Sequence, residues 1–130
     1  MLVVDASILA PAVADGGAEG ESIRRRLRGQ VIVGPDLLRL EVLSVVRRHR
    51  AAGHFTTVQA DHAIQDLLAL PIRVFPTAPL LGRAWELRDN VSAYGACYIA
   101  LAEVLDAPLV TGDQRLANAP GTRCAVEVIT

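Results

Sequence analysis

Apolar residues along the chain follow two alternating rhythms. Short β-branched runs bounded by Gly, Pro or Asp occupy 2–4, 31–33, 72–75, 108–110 and 125–129, the pattern of short buried strands. Between them apolar positions recur at helical spacing. Residues 19–28 read as a polar helix stopped by Gly29, and Asp36 is placed to cap a long helix whose Leu37, Leu40, Leu43 and Val46 share a face, running to Ala52 before Gly53. A further helix opens at Thr57 and ends at Leu70 before Pro71, and helices over 78–87 and 92–105 complete the set. Asp15-Gly16-Gly17 reads as a turn. Strands alternating with helices predict an α/β fold with a parallel sheet covered on both faces.

The 130 residues, 52% of them hydrophobic, suit one domain over 1–130. A net charge of −1 provides no overall basic field, so a nucleic acid would be held by a local arginine patch. All 13 basic residues are arginine. Without lysine, Walker-type phosphate loops, Schiff-base enzymes and receiver-like phosphoacceptor sites are disfavoured. Cys97 and Cys124 form no Cys-x-x-Cys pair, and no Cys/His group has zinc spacing, so both read as reduced, semi-buried thiols. The amino terminus has no basic leader and its apolar stretch is broken by Asp5 and Asp15. It resembles neither a signal peptide nor a membrane span, and a cytoplasmic protein is expected.

Chemistry concentrates in three acids at strand-to-helix junctions. Asp5 ends the first strand in Val3-Val4-Asp5-Ala6-Ser7, Glu41 sits among apolar neighbours in the first turns of the long helix, and Asp113 follows Val110-Thr111-Gly112. Ligands of open parallel sheets bind beyond the carboxyl ends of the strands. A buried carboxylate is costly unless paired or bound to a cation, so Glu41 calls for a metal or a nearby arginine. Asp113 reads either as a ligand or as an ordinary helix N-cap. Ser7 and Thr111 are placed to orient a carboxylate or a metal-bound water, and Ser7 equally suits the cap of the first helix. Converging acids that hold one or two magnesium or manganese ions most naturally serve phosphodiester hydrolysis.

These residues resemble the PIN-domain ribonucleases, and among them the VapC-type toxins of bacterial toxin–antitoxin pairs. The likeness spans the whole chain and rests on Val3-Val4-Asp5-Ala6-Ser7, Leu40-Glu41-Val42, the run from Tyr94 to Glu103, and the run from Leu109 to Leu116. It implies a three-layer α/β/α PIN-like fold with a central parallel sheet of four to five strands, and an acidic pocket for Mg2+ or Mn2+ that cleaves RNA. It also implies a homodimer and a cognate antitoxin whose carboxy-terminal segment covers the pocket. Asp5, Glu41 and Asp113 match three acids of the family pattern. At the fourth, in the family's Tyr-Asp-Ala segment, this chain has Gly95 between Tyr94 and Ala96.

Glycine costs about 1 kcal/mol relative to alanine inside a helix, and nothing around Gly95 asks for it. Two explanations stay open: a naturally weakened homologue, or a copy inactivated because the intact enzyme harms its host. Either implies little activity, with Asp89 and Asn90 as possible partial substitutes. Basic runs at Arg24, Arg25, Arg26 and Arg28 and at Arg47, Arg48, His49 and Arg50 are candidates for phosphate contact or solvated faces, with Arg39 and Arg115 nearest the acids in sequence. The lone His54 and His62 read as surface residues. Leu80, Leu81, Ala84, Trp85 and Leu87 read as core or dimer interface, and Ile64, Leu67 and Leu68 as a groove for an antitoxin helix. The competing reading is a catalytically dead module that binds antitoxin or RNA in regulation. A haloacid-dehalogenase-type phosphotransferase is set aside, since Ser7 stands where it needs a second Asp and the chain has no lysine.

Overall fold

Residues 1–129 are described by the computed structural model. Five parallel strands, β1 (Leu2–Val4), β2 (Ile32–Pro35), β3 (Ile72–Phe75), β4 (Leu109–Thr111) and β5 (Val126–Val128), form one sheet in the order β3-β2-β1-β4-β5. Seven helices cover it: α1 (Ala6–Ala14), α2 (Ala18–Leu27), α3 (Leu38–Ala51), α4 (Thr57–Ala69), α5 (Leu81–Glu86), α6 (Ala93–Leu105) and α7 (Gln114–Asn118). The result is a three-layer α/β/α architecture, with α1 packed against α2, α3 and α4, and α5 against α6. Among the described residues no helix is long and apolar enough to cross a membrane.

The chain steps outward from β1 through β2 to β3, then returns to β4 on the other side of β1. Strand order therefore reverses at β1, where an open parallel sheet offers its binding crevice. β1, β2 and β4 are buried throughout. That suits their nearly continuous apolar sequences, because a parallel sheet is covered on both faces. Val3, Val4, Val33, Leu109 and Val110 are fully buried at its centre, against Ile99, Ala100 and Leu101 of α6.

Several predicted boundaries move. The run at 31–33 becomes Ile32–Pro35, and Val31 instead offers its carbonyl to the Leu2 amide. Asp36 does not cap the long helix. Its amide bonds the Phe75 carbonyl, and α3 begins at Leu38 behind an uncapped Leu37. The helix at 78–87 splits into a 3-10 turn (Ala78–Leu80) and α5. The helix expected to open at Thr57 does so, with Thr56 and Gln59 forming a reciprocal capping box. Leu80, Ala84 and Leu87 are core, whereas Leu81 (55% exposed) and Trp85 (68%) face outward. Leu67 is core and Leu68 is exposed, so the two do not line one groove.

Helix α1, which follows Asp5, is held at its far end by α2. Arg24 donates to the carbonyls of Ala12 (3.1 Å) and Asp15 (2.6 Å). Gly20 lies so close that a Cβ there would overlap the Asp15 carbonyl oxygen, a backbone atom that cannot swing aside. Gly20→Ala is expected to lower stability by about 1–3 kcal/mol, the usual cost of overpacking, measured by urea unfolding.

A second tie joins α5, α6 and the carboxy-terminal segment. Glu103 accepts from Arg83 Nε (2.8 Å) and from the Arg123 amide (2.8 Å), while Arg83 also donates to the Gly121 carbonyl (2.7 Å). Burial raises the Glu103 carboxyl, but the Arg83 and Arg123 hydrogen bonds outweigh it and hold the group below the ordinary glutamate range. A depressed carboxyl contributes stability above its unfolded-state pKa and loses it as pH falls through the folded value. Glu103→Gln should therefore cost about 1–2 kcal/mol near neutrality, and the gap to the parent should close in unfolding curves taken progressively below pH 4.

Candidate active site

Asp5 closes β1 and caps α1, accepting the Ser7 amide at 3.1 Å. The cap is Asp5 rather than Ser7. Ser7 Oγ donates to Asp5 Oδ1 at 2.5 Å and Thr111 Oγ1 to Oδ2 at 2.5 Å. Each hydroxyl in turn accepts a backbone amide from the turn after β4, Gly112 for Ser7 (2.8 Å) and Asp113 for Thr111 (3.0 Å). Two hydroxyls thus bridge the ends of neighbouring strands through one carboxylate. Gly112 permits this closeness, since a Cβ there would sit 3.2 Å from Ser7 Oγ.

Asp5 is 9% exposed. Burial raises its pKa, opposed by the hydrogen bonds from Ser7 and Thr111 and from the amides of Ser7 and Ile8, and the net shift is upward. Glu41 projects from the first turn of α3. Burial raises its pKa too, the Tyr98 hydroxyl opposes this, and the charge of Asp5 adds to the rise. Two carboxylates close enough to repel one another favour a cation between them.

Tyr98 escaped the sequence reading as a participant. It is 2% exposed on α6 and donates to Glu41 Oε1 at 2.6 Å. Burial, then Glu41, push its hydroxyl far above the tyrosine range, so it remains a donor. Its signal was its place three residues after Gly95, on the same face of the helix.

Asp113 stands differently. It caps α7 through the Arg115 amide and is gripped by the Arg115 guanidinium, Nε to Oδ1 at 3.0 Å and a terminal nitrogen to Oδ2 at 2.9 Å. The Arg115 hydrogen bonds hold its carboxyl below the ordinary aspartate range. The expected convergence of three acids is not found: among the described residues no three His, Cys, Asp or Glu side chains are disposed around a cation. Asp5 and Glu41 form a pair, while Asp113 is neutralised by its own neighbour.

Gly95 is the third residue of α6, its amide held by the hydroxyl of the N-cap Ser92 (3.1 Å). A Cβ there would meet Leu116 Cδ2 at 2.8 Å and Ser92 Oγ at 3.4 Å. Ser92 and Leu116 border a cleft of about 320 Å³ that Asp113 and Arg115 also line, with Asp89 and Asn90. Gly95 itself does not line that cleft, but both residues that its Cβ would meet do. Arg39 lies elsewhere, donating to the Leu70 carbonyl at the end of α4 (2.9 Å). Cys97 and Cys124 are free thiols, both pushed up by burial.

A switch-point crevice holding a buried Asp, a facing Glu and two strand-end hydroxyls defines the class, and comparison with known proteins agrees. The model of the PIN domain matches residues 2–121. Ribonuclease VapC1 of Mycobacterium tuberculosis is 39% identical over 128 residues, covering 98% of this chain and 96% of its own length. Ribonuclease VapC9 of the same organism is 35% identical over 130 residues, covering 99% and 98%. The chain belongs to the PIN-domain family, among the VapC ribonucleases. Solved structures share the fold. VapC20 of M. tuberculosis, described as a sarcin-ricin loop cleaving toxin, superposes with a TM-score of 0.70 at 20% identity over 95% of this chain and 97% of its own. VapBC2 from Rickettsia felis, bound to a DNA fragment from its promoter, gives 0.68 at 14% identity over 97% and 96%.

Tyr98→Phe keeps the ring in the core and removes only the donor to Glu41. A stability loss of about 1–2 kcal/mol is expected, measured by denaturant unfolding. No loss would mean that Glu41 is equally well held by solvent.

Proposed function

We propose that this chain is an endoribonuclease toxin of a toxin–antitoxin pair, cytoplasmic and dependent on Mg2+ or Mn2+, with cleavage impaired by Gly95. The observation that carries the reading is the buried Asp5 held by Ser7 and Thr111 with Glu41 opposite, in a chain 39% identical to Ribonuclease VapC1. Magnesium commonly binds through one or two carboxylates plus substrate phosphate, and the mutually repelling Asp5 and Glu41 fit that donor set. When bound, the ion supplies Lewis-acid polarisation of a phosphoryl oxygen.

The chain's own residues supply the geometry. Ser7 and Thr111 aim both oxygens of Asp5, and Tyr98 fixes one oxygen of Glu41. Asp113 is the third candidate ligand, and Arg115 is placed beside it to meet a phosphate of the RNA strand. The partners we propose are RNA, a cognate antitoxin protein and a second copy of the chain, the last through exposed Leu81 and Trp85 of α5.

An acid at position 95 would border the cleft lined by Asp113. Its loss removes ligand charge where Asp113 is already paired. A second reading follows from that arrangement: a silent module that keeps antitoxin or RNA binding without cleavage.

Cleavage of total RNA by the parent and by Gly95→Asp, each with magnesium, manganese or chelator, separates the two. Leu116 must turn aside for the new side chain, which the flexible end of a leucine allows. The expected outcome is metal-dependent fragments from Gly95→Asp, at least tenfold above the parent. A folded Gly95→Asp protein that binds manganese and cuts nothing would favour the silent module.

A further inference from the structure

Beside the acid pair, helices α1 and α3 enclose a cleft of about 380 Å³ that the proposed chemistry does not use, within the size range of small-ligand pockets. Ser7 and Pro11 line it from α1, Val45 and His49 from α3, and Phe55 closes it from the turn that follows. Glu41, Val45 and His49 are spaced four residues apart, so they form one stripe along α3. His49 is eight residues from Glu41, about 12 Å along the helix axis. The cleft itself begins at Ala6 and Ser7, next to Asp5 in the chain, and reaches His49, with Asp15 on its wall.

Its far end is aromatic. The rings of His49 and Phe55 lie 5.2 Å apart between centroids, tilted by 34°. The His49 ring is also held by His54, Nδ1 to Nδ1 at 3.1 Å, after a turn in which the His54 amide bonds the His49 carbonyl (2.8 Å), and His49 itself stays exposed. Around this platform Arg47, Arg48 and Arg50 are exposed, and none of them forms an ion pair among the described residues. The other arginine run is mostly engaged in the fold: Arg24 holds α1, Arg25 pairs with Glu21 and Arg26 with Glu127, while Arg28 forms no ion pair among the described residues. Aromatic faces edged by unpaired cations are the combination that binds single-stranded nucleic acid, bases by stacking and phosphates by charge.

We propose that the α1–α3 cleft is a nucleobase subsite, in which a base of the RNA strand stacks on His49 against Phe55 while Arg47, Arg48 and Arg50 hold the adjoining phosphates. The inference rests on the ribonuclease reading and names where the strand runs. Stacking tolerates every base, so the subsite orients the strand toward Asp5 and Glu41 without selecting a sequence.

The test uses the full chain, in chelator to prevent cleavage, with fluorescein-labelled RNA hexamers and abasic hexamers of equal charge, read by anisotropy. The parent should bind the base-bearing strand at least tenfold more tightly than the abasic one. His49→Ala should weaken only the base-bearing strand, by about ten- to a hundredfold, the usual effect of one lost base–aromatic stack. His49→Phe, which keeps a ring, should retain tight binding and guards against misfolding of the alanine variant. Equal losses on both strands, or no loss in folded His49→Ala, would overturn the subsite and leave the ribonuclease reading standing. If the parent binds neither strand at low salt, both fall. Should a protein segment rather than RNA protect the His49 ring signals in NMR, the subsite is also wrong.

Discussion

One buried carboxylate organises the centre of this molecule. Asp5 sits where β1 ends and cannot stay charged at that depth without donors, so the fold supplies them from its own chain and from the neighbouring strand. The Ser7 and Thr111 hydroxyls that satisfy it also take the Gly112 and Asp113 amides. The same bonds that oppose the effect of burial on Asp5 therefore fasten the end of β4 to the start of α1. A binding crevice at the switch point is normally a gap between diverging loops; here polar contacts lace the β4 side of it together.

The candidate ligands consequently differ in kind. Asp5 and Glu41 are both raised by burial, and Glu41 further by the charge of Asp5, a state that a cation would relieve. Asp113 is relieved already, by an arginine two residues along its own helix. Gly95 bears on that difference because its missing side chain belongs to the Asp113 side of the crevice. With a second acid in that cleft, like-charge repulsion would compete for Arg115 and press the pair toward a shared cation. Asp89 lines the same cleft but forms no ion pair with Arg115 among the described residues, so the Asp113–Arg115 bridge stands.

Much of this was legible in the residues. The β-branched runs placed all five strands to within two residues, because parallel strands buried on both faces have little freedom in composition. Asp5 and Asp113 stood out as acids where a strand hands over to a helix, and each is the N-cap of the helix that follows it. What the linear pattern could not carry was pairing between distant segments. Asp36 looked like a cap, yet its amide is taken by Phe75, 39 residues away in sequence. Arg39 looked like a neighbour of Glu41, yet it reaches the end of α4. Tyr98 looked like core and is core, but its one polar atom meets Glu41, 57 residues distant.

Charge presents a last constraint on how such a centre meets a polyanion. Two carboxylates repel phosphate, and a net charge of −1 offers no compensating field. Attraction must then come from cations within roughly 8 Å of where the strand lies, since physiological salt screens anything farther. The Arg24–Arg26 run is tied into the fold. Arg47, Arg48 and Arg50 stand at the carboxyl end of α3, where cations also complement the helix dipole. The helix that presents Glu41 at one end therefore presents unpaired arginines at the other, so acid and anchor are held on a single rigid element. Under the proposed reading, an RNA strand drawn to the arginines would lie along α3 toward Glu41, its direction of approach set by the geometry of one helix.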